Sequence, residues 1–223
     1  MGIKQKLLVT VAALNTACAG LFGHPRMPVD VPMEDVPWED HKGTDGVTVI
    51  RVGFTGEAGK FPNGAGQHDY APPTPEEQAA IRETLKAYSE VLDIDFIPVA
   101  LDPRHPDLDK VDLIIRTAVI DFAKSGGLFS PEITGTPEGI TLVDDDIADM
   151  ILKKGEDADR FRDSFKHELG HVLGLGHASG PKWETVMHPM AAGLAPNTDP
   201  APAPSDFRTL VKYYGARDKT HER

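Results

Sequence analysis

The segment 167–177, HELGHVLGLGH, holds three histidines, one glutamate and three glycines in eleven positions. On a helix, residues four apart share a face, so His167 and His171 project toward a common point. Neutral imidazole is a favoured zinc ligand. Gly174 can adopt a positive φ, which ends the helix and lets His177 return to the same ion. Three protein ligands leave a fourth position for water, which is typical of a catalytic zinc site.

Glu168 follows the first of these histidines directly. The helix angles its carboxylate toward a water molecule at the metal rather than toward the ion itself. In this position a glutamate takes a proton from water and later delivers it to a leaving group. Zinc polarises the carbonyl that is attacked. The pattern therefore predicts metal-assisted hydrolysis with Glu168 as the general base.

Charge and length exclude several other classes of function. The 223 residues suffice for one domain with a substantial core, or for two small ones. A formal net charge of −12 disfavours nucleic acid and anionic membranes as partners, because phosphate binding needs clustered lysine and arginine. No segment is apolar over the length that a membrane-spanning helix requires. We expect a monomer, and the family resemblance described below implies a polypeptide substrate.

The N-terminus has the pattern of a secretory signal peptide, residues 1–19. Two lysines precede the apolar stretch 7–14, and Ala17-Cys18-Ala19 has the small-residue form of a cleavage site. We therefore expect secretion to the extracellular space. Two alternatives are a lipid anchor on Cys18 and an unprocessed N-terminal tail. Residues 20–46 are rich in proline, glycine and acids, which indicates a linker or a short pro-segment.

Local patterns predict an α+β domain over residues 47–216, followed by a tail at 217–223. Thr74 is expected to cap a helix that runs to Leu92, a second helix spans 157–175, and Ser205 or Asp206 caps the last one. Residues 56–73 and 195–204 are expected to be loops. Strands are predicted at 47–54, 95–100, 111–116, 126–130 and 139–143. This order favours a mixed, twisted sheet over the helix that carries the histidines.

The whole signature, His167, Glu168, His171, Gly174 and His177, resembles the metzincin metallopeptidases, and most closely the matrixins among them. Metzincins place a methionine beneath the metal in a tight turn. In this chain TVMHPM (185–190) is similar to that turn, with Met187 ten residues after the third histidine. The likeness extends over about residues 38–216. It implies a zincin-like fold with a C-terminal helix after the methionine turn.

The resemblance also implies a secreted zinc endopeptidase and locates its substrate-binding residues. An extended peptide is expected to add a strand along the edge near Gly127, Leu128 and Phe129. Pro189 and Met190 correspond to the wall of the pocket for the residue after the cleaved bond. The acidic stretch Asp144, Asp145 and Asp146 resembles a calcium-binding segment, so Ca²⁺ is a second expected ion.

Four departures from the matrixin pattern limit what carries over. His188 stands where matrixins have tyrosine, and we interpret it as a turn residue rather than a further ligand. Ile147 stands where the calcium stretch would continue with glutamate. No histidine occurs between 106 and 166, so a second, structural zinc is not expected. Met27 occupies the place of the cysteine that keeps matrixin pro-segments latent, so we expect no such latency.

Three other functions remain open on the sequence alone. The first is a zinc-dependent module that binds peptides without cutting them, although Glu168 counts against it. The second is a serralysin-like secreted peptidase, which shares the zinc signature but carries calcium repeats that this sequence lacks. The third is a structural zinc site with His188 as a fourth ligand.

Overall fold

The computed structural model describes residues 28–34, 37–56, 67–102, 106–120, 134–135, 139–144, 147–181, 183–188 and 195–218. Within these ranges, side chains are described except at 67–69, 120, 134–135, 139–144 and 147. The helices are α1 (Pro75–Ser89), α2 (Ala158–Val172) and α3 (Pro204–Tyr214). The strands are β1 (Thr48–Phe54), β2 (Gln67–Ala71), β3 (Ile94–Val99), β4 (Leu113–Ile120), β5 (Thr134–Gly135), β6 (Gly139–Asp144) and β7 (Ile147–Lys153).

These strands form one mixed sheet in the order β3-β1-β4-β7-β6-β5, with β2 paired to the far end of β4. Strands β3, β1, β4 and β7 run parallel, whereas β2, β5 and β6 are each antiparallel to the neighbour that they pair with. Helix α2 packs against β6, β7 and α1. The predicted α+β arrangement is confirmed: a mixed sheet over the histidine-bearing helix, with a C-terminal helix after the methionine turn.

The hydrophobic core lies between the helices and one face of the sheet. Alternate residues of the central strands point into it, as the two-residue period of a strand requires. The helices contribute apolar side chains at intervals of three and four residues. The largest contributors are Ile50, Val52, Leu113, Ile115, Met150, Leu152, Ile81, Leu85, Tyr88, Phe161, Phe165, Leu169 and Leu210, all buried.

Strand β7 is a central parallel strand that the sequence patterns did not predict. Its residues Ala148, Met150 and Leu152 enter the core, whereas Asp149 lies on the opposite face. There Asp149 forms a buried, two-pronged ion pair with Arg116 of β4, at 2.9 and 3.1 Å. The Arg116 guanidinium also stacks on the ring of Tyr70, 4.4 Å from its centroid. A charged residue inside an apolar strand is tolerated here because the neighbouring strand supplies its partner.

The remaining differences concern helix ends and one strand. Strand β2 lies within 56–73, which was expected to be a loop. Thr74 caps α1 with a full capping box, as predicted, and the helix ends at Ser89 rather than Leu92. The prediction that Ser205 or Asp206 caps the last helix is wrong, because α3 begins at Pro204 after Ala203. Proline is favoured at the first helical position, so both polar residues fall inside the first turn.

Several predicted features lie outside the described residues and stay predictions. These are the signal peptide 1–19 with Cys18, the substrate segment Gly127, Leu128 and Phe129, and the pocket residues Pro189 and Met190. Asp145 and Asp146 also lie outside, while Asp144 ends β6 and pairs with Ile147 of β7. Among the described helices, none is both long and apolar enough to cross a membrane.

Candidate metal centre

Helix α2 is buried on every side over its second half, which is unusual for a helix with so many polar residues. Asp157 caps it by accepting a hydrogen bond from the backbone N–H of Arg160 at 3.1 Å. Phe161, Phe165 and Leu169 then fix one face in the core. This packing holds the polar residues that follow in place beneath the sheet.

The helix ends at Val172, three residues before the predicted end at 175, and the predicted turn at Gly174, whose φ is +90°, follows it. The N–H of Gly174 donates to the carbonyl of His171 at 2.9 Å, and the N–H of Leu175 donates to the carbonyl of Gly170 at 2.8 Å. These two bonds define a Schellman motif, in which glycine is favoured because it adopts positive φ without strain. The reversal brings His177 back toward the helix.

The three predicted histidines converge. Nε2 of His171 lies 3.1 Å from Nε2 of His167 and 3.2 Å from Nε2 of His177. In the part of the chain that the structure describes, these three histidines form a group that could hold a metal ion. Their ligand atoms all lie within 4.8 Å of one another. His188, the candidate fourth ligand, is not part of that group.

Backbone carbonyls fix which nitrogen of two rings carries the proton. Nδ1 of His167 bonds to the carbonyl of Val186 at 2.7 Å, and Nδ1 of His171 bonds to the carbonyl of Leu175 at 2.8 Å. A carbonyl oxygen only accepts, so both Nδ1 atoms donate, and each Nε2 of the neutral rings presents a lone pair. Two lone pairs facing each other at 3.1 Å repel unless a cation binds between them.

Burial favours the neutral form of His171 and His177. It lowers the pKa of His171 to about 4, an effect that the neighbouring His177 increases and the hydrogen bond to Leu175 opposes. Burial also lowers the pKa of His177, where the carboxylate of Glu34 acts in the opposite direction and His188 adds to the lowering. A metal ligand must be unprotonated, so the environment already favours the ligand form at neutral pH.

The donor set fits zinc. Two nitrogens bound to one tetrahedral zinc at about 2.0–2.1 Å lie about 3.3 Å apart, close to the two measured separations. Ligating histidines characteristically donate their other ring N–H to a backbone carbonyl, as His167 and His171 do. Glu168, the predicted base, is fully buried on α2 between the first two of these histidines in sequence.

Met187 is fully buried and packs on the active-site helix at Gly170. We name its segment, residues 185–188, the methionine turn, after the turn that the sequence predicts there. The turn is held by Asp206 of α3, which accepts hydrogen bonds from the Thr185 hydroxyl at 2.6 Å and the Val186 N–H at 3.0 Å. Because the carbonyl of Val186 orients His167, Asp206 acts on the site through the turn.

Asp206 makes the stability of the domain depend on pH. Burial raises the pKa of Asp206 to about 6, against the opposing effect of its hydrogen bonds to Thr185 and Val186. Between about pH 4 and pH 6 the folded state therefore holds a proton that the unfolded state has lost, so stability falls as pH rises. We expect the free energy of unfolding of the metal-free wild type, relative to Asp206→Asn, to fall by about 1 kcal/mol per pH unit there. Urea denaturation of both proteins at several pH values checks this, and a constant difference would contradict it.

A buried lysine holds the loop that follows the methionine turn. Lys166 donates from Nζ to the carbonyl of Asp199 at 2.7 Å, and burial lowers the pKa of Lys166 to about 8. One turn earlier, Asp163 accepts from the N–H of Asn197 at 3.1 Å. The sequence patterns predicted neither these contacts nor the hydrogen bonds of Asp206 to the methionine turn. The polar residues in the buried part of α2 were the available signal, since polar groups are buried only with partners.

Comparison with models of protein families and with curated protein sequences gives no match. Among solved structures, the chain is similar to high choriolytic enzyme 1, a hatching enzyme zinc-protease from the medaka fish Oryzias latipes. The TM-score is 0.36 at 12% identity, covering 79% of this chain and 94% of that one. A likeness this distant carries no argument about activity, so the function has to come from the residues of the site.

Proposed function

We propose that this chain is a secreted zinc-dependent endopeptidase of the metzincin type, most similar to the matrixins. The observation that carries the proposal is the convergence of three Nε2 atoms at 3.1 and 3.2 Å, with the glutamate next to the first ligand on the same helix. Structural zinc sites use four protein ligands, whereas three are typical of hydrolytic sites.

His167, His171 and His177 would hold the ion. Zinc bound in this way supplies a Lewis acid that polarises a carbonyl and lowers the pKa of water to about 7. Glu168 takes a proton from the attacking water on its carboxylate and then gives it to the nitrogen of the leaving amine. Met187 forms an apolar floor under the ligands and takes no part in proton transfer.

Substrate binding and export complete the proposal. The peptide binds extended along the sheet edge near Gly127, Leu128 and Phe129, and Pro189 with Met190 lines the pocket after the cleaved bond. The proposal includes a removable signal at 1–19, a catalytic domain within 47–216 and action as a monomer. Calcium at Asp144–Asp146 is a separate proposal that rests only on the resemblance of that stretch.

Metal analysis combined with a protein digest tests this function. We expect about one zinc per chain, cleavage of casein or gelatin, loss of cleavage with a chelator, and recovery when zinc is returned. Mapping of cleavage sites on a peptide library then gives the side-chain preference. Zinc without cleavage would instead indicate a peptide-binding module. A purified chain that binds no zinc would overturn the proposal entirely.

A further inference from the structure

The segment 29–34, here called the N-terminal strap, lies across the turn that carries the third histidine. Its carbonyl at Val31 accepts a hydrogen bond from Thr209 of α3 at 3.0 Å, and the Val31 side chain is buried in the core. Farther along, the N–H of Gly176 donates to the carbonyl of Pro32 at 2.9 Å. Met33 and Leu175 form an antiparallel bridge, so the strap runs as an extra strand beside this turn.

The strap and Trp38 also complete the C-terminus of the active-site helix. The last carbonyls of a helix lack partners within the helix. Here Trp38 donates from its indole nitrogen to the carbonyl of Val172 at 2.6 Å, and the N–H of Glu34 donates to the carbonyl of Gly174 at 2.8 Å. The hydroxyl of Tyr214 donates a hydrogen bond to the carbonyl of Leu173 at 3.0 Å. The residues just before His177 are therefore held largely by the strap and Trp38, which precede strand β1 in the sequence.

This register places the side chain of Glu34 directly over Gly176, the residue before His177. A Cβ atom on Gly176 would overlap the carboxylate of Glu34, so the close approach depends on glycine. The same contact with Gly176 places the carboxylate near His177, so its negative charge acts on that side of the site. Glu34 itself is exposed to solvent.

We propose that the N-terminal strap is a built-in part of the metal site and that Glu34 is a positioning residue, whose carboxylate strengthens cation binding through His177. The inference rests on the zinc site of the proposed function. A carboxylate beside a ligating histidine adds negative potential at the ion. The strap is thus retained in the working protein, and any maturation cut falls before Val29.

The test compares zinc affinities with those of matched variants. Glu34→Gln removes the charge and keeps the shape, while Glu39→Gln makes the same change at an exposed acid in the short helix that follows. Affinity is measured by competition with a fluorescent zinc chelator, and thermal unfolding is measured on the metal-free proteins. We expect Glu34→Gln to weaken zinc binding about three- to fivefold, Glu39→Gln to change it less than about twofold, and neither to move the unfolding temperature.

Gly176→Ala provides an independent route to the same effect. The overlapping atoms belong to the flexible end of Glu34, so the new methyl group displaces the carboxylate without distorting the backbone. We expect Gly176→Ala to weaken zinc binding like Glu34→Gln, and the double variant to be no weaker than either. Equal affinities for Glu34→Gln and Glu39→Gln, or additive losses, would overturn the inference alone. Failure of the wild type to bind zinc would overturn the proposed function as well.

Discussion

Glu168→Gln is expected to lower kcat/KM by about a thousandfold while the protein keeps its zinc. Glutamine has the shape of glutamate but cannot take a proton from water at neutral pH. Glu168 is fully buried on α2, so the isosteric change avoids a cavity and leaves the helix packing intact. The proposed ligands are three histidines, two of them oriented by backbone carbonyls, so the ion is not expected to depend on this carboxylate.

A second glutamine variant separates catalysis from stability. Glu156, just before the start of α2, accepts a hydrogen bond from Ser164 and pairs with Lys153, and it is not part of the histidine group. Glu156→Gln should keep activity within about threefold, because it changes a hydrogen-bond partner of Ser164 and not a proposed reacting group. Peptide hydrolysis and metal content are measured for both variants. Full activity of Glu168→Gln would refute the assignment of Glu168 as the general base. Loss of zinc from the Glu168→Gln protein would show that the carboxylate is a metal ligand.

The site was more predictable than the fold around it, for a local reason. Two histidines one helical turn apart and a glycine suited to positive φ determine the convergence within eleven residues. Both signals depend on backbone geometry, which short sequence ranges specify. The spacing predicted where His177 returns, and the structure confirms it at 3.2 Å from its neighbour.

Long-range contacts explain what the patterns missed. Strand β7 contains Asp149, which interrupts the apolar run and makes sense only beside Arg116, thirty-three residues away. Trp38 is separated by 134 residues from the helix carbonyl that it satisfies. The proline-rich composition of 20–46 indicates a linker, yet part of that range packs on the domain. Composition describes local backbone preference, whereas burial depends on partners that only the tertiary structure supplies.

Gly170→Ala should destabilise the domain, although helix propensity alone predicts the opposite. In a helix interior alanine is favoured over glycine by about 1 kcal/mol. At Gly170, however, a Cβ atom would overlap Sδ of Met187 and lie 3.0 Å from its Cε. Met187 is fully buried, so it has to move into packed surroundings, at a cost of about 2–3 kcal/mol. The sign of the change, measured by urea denaturation of the metal-free protein, decides between the two effects.

Gly170→Ala should also weaken zinc binding, through the methionine turn. Displacement of Met187 shifts Val186, whose carbonyl orients His167, so zinc affinity falls together with stability. Met187→Ala alone opens a cavity and costs about 2–5 kcal/mol. In the Gly170→Ala background it also removes the overlap, so the two losses should fall short of additivity by at least about 1 kcal/mol. Strict additivity, or a stabilised Gly170→Ala protein, would mean that the methionine does not depend on this glycine.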